Sequence, residues 1–145
     1  MNLPDVNVWL PLVLSKHEHH RAARAWLGSQ SDPDTVHFCR ATQQGLVRLL
    51  TTAAVLAPYG IKPLTNRAAW DVYRQLLSDS TITFVQEPAG IEAAWADFAT
   101  RNSASPKLWM DAWLAAFAVR GGLKLVTFDS GYKQFTKLDL LLLKP

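Results

Sequence analysis

Short apolar runs alternate along this chain with longer stretches whose apolar residues recur every three to four positions. That alternation of period 2 or continuous runs with period 3.6 is the pattern of a parallel sheet covered by helices, and it excludes all-helical and all-strand folds. Strands are expected at residues 2–6, 36–38, 82–85, 123–127 and 140–143. Helices are expected at residues 17–27 (Ala22, Ala23, Trp26 and Leu27 inward), at 41–50, and from Thr65 or Asn66 with Ala68, Ala69, Val72, Tyr73, Leu76 and Leu77 as its core stripe. Another is marked by Ile91, Ala94, Trp95, Phe98 and Ala99. The last is the best punctuated, with Ser105 as N-cap, Pro106 in the first helical position and Gly121 as the stop. Residues 51–64, with Pro58, Gly60 and Pro63, read as irregular. Pro4 cannot donate to a ladder, so the first strand is expected to pair fully only after it, or on one side.

At 145 residues and 49% hydrophobic, the chain suffices for one domain, residues 1–145, with its own core. The net charge of +3 and pI near 9.2 are compatible with a polyanionic partner without requiring one. Cys39 is the sole cysteine, which rules out an internal disulfide or a thiolate metal cage and makes a reducing, cytoplasmic location the default. Met1 to Asp5 lacks the positive start of a secretory signal, and no uncharged stretch reaches the roughly 18 residues of a membrane span.

Most of the twelve acidic residues fall on polar faces, but three do not. Asp5 lies among Leu3, Val6, Val8 and Trp9; Asp111 shares a helix face with Leu108, Ala115 and Ala118; Asp129 follows the apolar run of residues 123–128. An unpartnered carboxylate in such surroundings costs several kcal/mol. Strand ends and return-helix starts lie at the same edge of a parallel sheet, so all three should meet at the carboxyl edge, where open α/β sheets hold ligands. Asp139 precedes its strand and belongs to the opposite edge. Carboxylates about 5 Å apart repel by roughly 3 kcal/mol per pair at an effective dielectric near 20. A divalent cation relieves this, and all-oxygen ligands favour Mg²⁺ or Mn²⁺, which can promote attack on a phosphodiester.

Four fragments in order resemble one family. Asp5-Val6-Asn7-Val8 is similar to the Asp-x-Asn opening of PIN-domain nucleases, and Thr42-Gln43-Gln44-Gly45-Leu46-Val47-Arg48 to the Thr-Glu-x-Gly-x-x-Arg segment of VapC-type toxins. Asp111-Ala112-Trp113-Leu114-Ala115 and Thr127-Phe128-Asp129-Ser130-Gly131-Tyr132 resemble the last two acidic motifs. The resemblance implies a three-layer α/β/α sandwich around a mostly parallel sheet of about five strands. It implies a Mg²⁺-dependent endoribonuclease serving as the toxin of a toxin–antitoxin pair, as a homodimer or a hetero-oligomer with its antitoxin. By position Asp5, Asp111 and Asp129 would be catalytic metal ligands, and Asn7, Gln43 and Thr127 supporting groups. Gln43 departs from the family's glutamate; an amide has one acceptor oxygen and no charge, so a weaker hold on metal is expected.

Arg48, Lys107 and Lys133 are candidates for phosphate contact. His17, His19 and His20 around Glu18 resemble a metal cluster but are expected at the start of a surface helix without partner acids. Trp26, Trp95 and Trp70 fit helix core faces, leaving Trp9, Trp109 and Trp113 for a groove or an interface. The rival reading is a PIN-like module that binds RNA or a protein without cutting, because Gln43 replaces an acid; a hydrolase of small phosphoesters is a more distant one.

Overall fold

A computed structural model describes every residue, Met1–Pro145. Five strands, β1 (Asn2–Pro4), β2 (Val36–Phe38), β3 (Ile82–Phe84), β4 (Lys124–Thr127) and β5 (Leu140–Leu142), form one sheet in the order β3-β2-β1-β4-β5, with every pairing parallel. Seven helices accompany it: α1 (Val6–Val13), α2 (His20–Gly28), α3 (Arg40–Leu50), α4 (Ala53–Leu56), α5 (Asn66–Leu76), α6 (Ile91–Ala99) and α7 (Leu108–Gly121), with 3₁₀ turns at Ala57–Tyr59 and Ser130–Gln134. No helix is long and apolar enough to cross a membrane.

The strands alternate their side chains between two cores, making three layers. Val36, Phe38 and Val126 face one core with Trp9, Leu46, Leu50 and Tyr73, from α1, α3 and α5. Leu3 and Leu125, partners in register, face the other with Leu108, Leu114, Phe117 and Tyr132. Burial on both faces explains why the strands read as unbroken apolar runs.

β1 is central, yet Pro4 limits it as the sequence suggests. It pairs β4 through Asn2, Leu3 and Pro4 but β2 only through Asn2. Asn2 N–H points to β2, bonding the Thr35 carbonyl at 2.7 Å, and Asp5 N–H points to β4, bonding the Val126 carbonyl at 2.9 Å. By strand alternation the N–H that Pro4 lacks is one that would have faced β2. The strand therefore ends at Pro4, two residues earlier than the apolar run indicates.

Helix α1, the main element hidden from the sequence, begins at once. Asp5 caps it, with Oδ1 accepting from Val6 N–H at 2.6 Å. Nearly every residue of α1 is apolar, and Val8, Trp9, Leu10, Pro11 and Leu12 are all buried, so no polar stripe betrays the helix. Trp9 is a core residue, its ring stacked on Phe38 at 3.6 Å between centroids. Trp113 is partly buried against Phe117, while Trp70 is 45% exposed, so both tryptophans reverse their expected places; Trp109 is 48% exposed, as expected of a surface residue. α1 packs closely on α3 because Gly45 has no side chain: a Cβ there would lie 3.2 Å from Val6 Cγ2.

Three further boundaries shift. α7 starts at Leu108 rather than Pro106; Leu108 N–H bonds the Ser105 backbone carbonyl, and the Ser105 hydroxyl meets Ser103 instead of capping the helix. It is Gly122, in the left-handed conformation (φ 63°), that ends it. α2 starts at His20, and residues 14–19 form a tight turn before it.

Candidate active site at the switch point

Successive strands run from β1 outward through β2 to β3, then the chain returns to the other flank of β1 as β4. The carboxyl ends of β1 and β4 thus border a topological switch point, where the diverging connections open a crevice. Asp5 caps α1 just past β1, Asp129 caps the 3₁₀ turn just past β4, and Asp111 sits in the first turn of α7.

A hydrogen-bonded lattice stitches the two strand ends together. Asn7 donates through Nδ2 to Asp5 Oδ2 at 2.8 Å and to Thr127 Oγ1 at 2.9 Å, while its Oδ1 accepts from Phe128 N–H at 3.2 Å. Thr127, fully buried, lies 3.2 Å from Asp5 Oδ2, its hydroxyl in reach to donate, and its oxygen accepts from Asp129 N–H at 3.0 Å. Asn7 and Thr127 therefore aim Asp5 and fix the backbone that carries Asp129. Asp129 Oδ1 accepts from Gly131 N–H at 2.7 Å. Asp111 Oδ1 accepts from the Tyr132 hydroxyl at 3.3 Å.

Burial raises the Asp5 carboxyl to about 6, against the opposing pull of Val6 N–H and the Thr127 hydroxyl, and the charges of Asp111 and Asp129 push it further. Asp111 is raised by burial and then by Asp129. Tyr132 is held far above the usual phenol range by burial and by the surrounding carboxylates, so it remains a donor. The structure's ion pairs, Glu18 with His19 and Lys124 with Asp139, leave all three acids without a cation. Asp139 stands at the opposite edge, as its place before β5 requires.

A cavity of about 200 Å³ is walled by Asp5, Asp111, Tyr132, Thr42, Arg48 and Met110, among others. Asp129 opens into an adjoining cleft with Asn7 and Phe128. Although the three carboxylates feel one another's charge, no three His, Cys, Asp or Glu side chains stand as they are around a common ligating point. Gln43, next to Thr42 in α3, does not line the cavity: it is buried and its side-chain oxygen accepts from Arg40, whose guanidinium lies over the Phe84 ring. Of the basic candidates Arg48 reaches the cavity wall, whereas Lys107 and Lys133 are exposed beside the edge, just before α7 and in the 3₁₀ turn. Tyr132 is a site residue that the sequence reading does not single out. Its position three residues after a capping aspartate, in a turn that folds it back beneath that cap, is the available signal.

A PIN domain model matches residues 3–138. The chain belongs to the PIN-domain family. It is 54% identical over 144 residues to Ribonuclease VapC41 of Mycobacterium tuberculosis, covering 99% of both chains, which places it among the VapC ribonucleases. Ribonuclease VapC37 of the same organism is 29% identical over 136 residues, covering 93% of this chain and 92% of that one. Among solved structures, M. tuberculosis VapC20, a Sarcin-Ricin loop cleaving toxin, superposes with a TM-score of 0.67 at 18% identity, covering 96% of this chain and 98% of that one. VapBC2 of Rickettsia felis, bound to a DNA fragment from its promoter, gives 0.63 at 12% identity, with 97% of each covered. These two share the PIN fold with this chain.

Proposed function

We propose that this chain is a Mg²⁺-dependent endoribonuclease and the toxin of a toxin–antitoxin pair. The observation that carries the reading is the set Asp5, Asp111 and Asp129 at the switch point, whose charges disfavour one another and none of which is in an ion pair. An all-carboxylate donor set fits a hard divalent ion, which would draw the three side chains together. When bound, Mg²⁺ or Mn²⁺ supplies charge neutralisation at the phosphodiester and eases deprotonation of the attacking water. Asn7 and Thr127 keep Asp5 oriented, and the Tyr132 hydroxyl, donating to Asp111, favours its ionised form. Arg48 on the cavity wall, with Lys107 and Lys133 outside it, binds flanking phosphates. The 54% identity to a named ribonuclease supports RNA as substrate. The solved toxin–antitoxin complexes of the same fold support a cognate antitoxin as partner.

The test is cleavage of cellular RNA by the full chain with Mn²⁺, with Mg²⁺ and with chelator, alongside the melting temperature in each. Metal-dependent cutting and a metal-induced rise in melting temperature are expected. Equal cutting in chelator, or no metal response in either readout, overturns the metal assignment.

A second reading, a module that binds RNA without cutting it, is favoured by Gln43, which brings no acid and is engaged by Arg40. Gln43→Glu is expected to lower the Mn²⁺ concentration for half-maximal cleavage by up to about tenfold, the lower range for groups acting around a metal's ligands. The gain should be larger with Arg40→Ala, which removes the competing cation. No change in either background would show that position 43 does not tune the metal.

A further inference from the structure

Beside the acid edge runs an aromatic row that the cleavage machinery does not use. Residues 14–19 return from α1 across Phe128, held by His17 N–H to Leu14 carbonyl at 2.9 Å and His20 N–H to His17 carbonyl at 3.0 Å. The His19 ring stacks on Phe128 at 4.3 Å between centroids and 17° between planes. His17 lies 5.3 Å from His19 and stacks on Tyr59, also at 5.3 Å. His17 Nδ1 accepts from His19 N–H at 3.0 Å, which puts the neutral ring's proton on Nε2, and His20 Nδ1 donates to the Pro11 carbonyl at 2.7 Å. His19 Nδ1 is buried with no partner. The three histidines are thus committed as flat surfaces and turn locks. The row borders a cleft of about 370 Å³ that also includes Glu18 and Asp129.

We propose that this cleft seats the base of the nucleotide adjoining the scissile phosphate, packed against the His17–His19–Phe128 row that lines it. The inference rests on the endoribonuclease reading above. Asp129 opens into this cleft, which gives the chain adjoining the bond at the acids a place to lie. A phosphate would meet the carboxylates of Glu18 and Asp129. Burial, with the neighbouring His19, keeps His17 below the usual imidazole range and so uncharged at neutral pH. An uncharged flat ring suits such a site, and single-stranded nucleic acid offers one at every residue. His17 Nε2–H is left as a donor, and the Glu18 oxygen not facing His19 as an acceptor, for the base's edge.

The test uses the full chain carrying Asp111→Asn, to prevent cutting, and fluorescent single-stranded oligoribonucleotides with each base, or an abasic unit, at the varied position. Adding His19→Ala should raise Kd for at least one base-containing strand by about 5- to 150-fold, the range for removing one aromatic contact to a base. His19→Phe should restore binding, and the abasic strand should not distinguish the variants. Unchanged Kd values in a His19→Ala protein that melts like its parent, or no binding of any strand, overturn the subsite; Phe128→Leu repeats the test should His19→Ala fail to fold. Cleavage by the unsubstituted chain is read separately. His19-dependent base binding without any cleavage would sink the nuclease reading and leave the subsite standing, and cleavage with His19-independent binding would do the reverse.

Discussion

Asp5→Asn and Asp111→Asn are each expected to lower metal-dependent RNA cleavage by more than about 100-fold, the upper range for groups that merely support metal ligands, yet to differ in their effect on the fold. The amide oxygen introduced by Asp111→Asn can still accept the Tyr132 hydroxyl, while the substitution removes a charge that burial and Asp129 both disfavour. The metal-free Asp111→Asn protein should therefore melt at a higher temperature than its parent at pH 7. Asp5→Asn also removes a disfavoured charge, and the new side chain remains a competent N-cap toward Val6. It places an NH₂ where Oδ2 accepts from Asn7 Nδ2, however, so two donors face each other at a cost of about 1 kcal/mol. The Asp5 shift, from 3.8 to about 6, amounts to about 1–2 kcal/mol once discounted for partial solvent exposure, so the two changes nearly cancel.

The same shift sets the sign of the pH dependence. The folded state holds the Asp5 proton more tightly than the unfolded chain, so metal-free stability is greatest below pH 3.8 as far as this group is concerned. It is lost as pH rises through about 6. Asp5→Asn should flatten that descent. Melting curves between about pH 4 and 7.5 in chelator, then with Mn²⁺, check both parts: saturating metal at about 100 times its Kd should stabilise the parent by about 2.7 kcal/mol and neither variant comparably. A variant that cuts RNA normally would remove its own residue from the metal site, and a parent whose stability rises over the lower part of that range while Asp5→Asn does not would show that the fold does not hold the Asp5 proton.

Asp5 and Asp111 were legible because a charge is conspicuous within an apolar run; Asp129 is exposed, and it was legible only because parallel topology assigns strand ends and helix starts to one edge without knowledge of contacts. The strands were legible as apolar runs because helices pack on both faces of the sheet, although the edge strands β3 and β5 are only partly buried. α1 was not. Val6 to Val13 has no polar stripe to give it a period, and Pro11 inside it argues locally against a helix. Only its burial between β1 and α3 and the Asp5 cap decide the matter. The start of α7 failed differently: Ser105 and Pro106 satisfy the local rule for a helix start, but residues 106–107 form a turn and the cap goes unused. The histidines around Glu18 illustrate the limit of local reading. Their spacing along the chain says nothing useful, and their significance lies in Phe128, near the other end of the chain, onto which the turn folds.

Trp9→Ala should be the most damaging single truncation in the core, costing about 3–5 kcal/mol and lowering the melting temperature by roughly 6–20 °C at the sensitivity of chains near this size. Trp9 is fully buried in the middle of α1, and its ring lies on Phe38 of β2 with only 11° between planes. Phe38 in turn meets Tyr73 of α5 edge-on at 5.1 Å, so one indole joins α1, the sheet and the outer helix layer. Trp9→Phe should cost much less than alanine. The smaller ring keeps the stack, and it removes an indole N–H that is buried without a partner and so contributes a desolvation penalty of about 1–3 kcal/mol. The consequence extends to the site, because α1 carries Asp5 at its cap and Asn7 in its first turn. A loosened α1 lets Asn7 drift from Thr127 and Phe128, and with it the aim of the Asp5 carboxylate. Trp9→Ala should therefore lose cleavage and metal-induced stabilisation well below its own melting temperature, whereas Trp9→Phe should retain both. Equal melting temperatures for the two variants would mean that packing on Phe38 is not what anchors the helix that presents the acids.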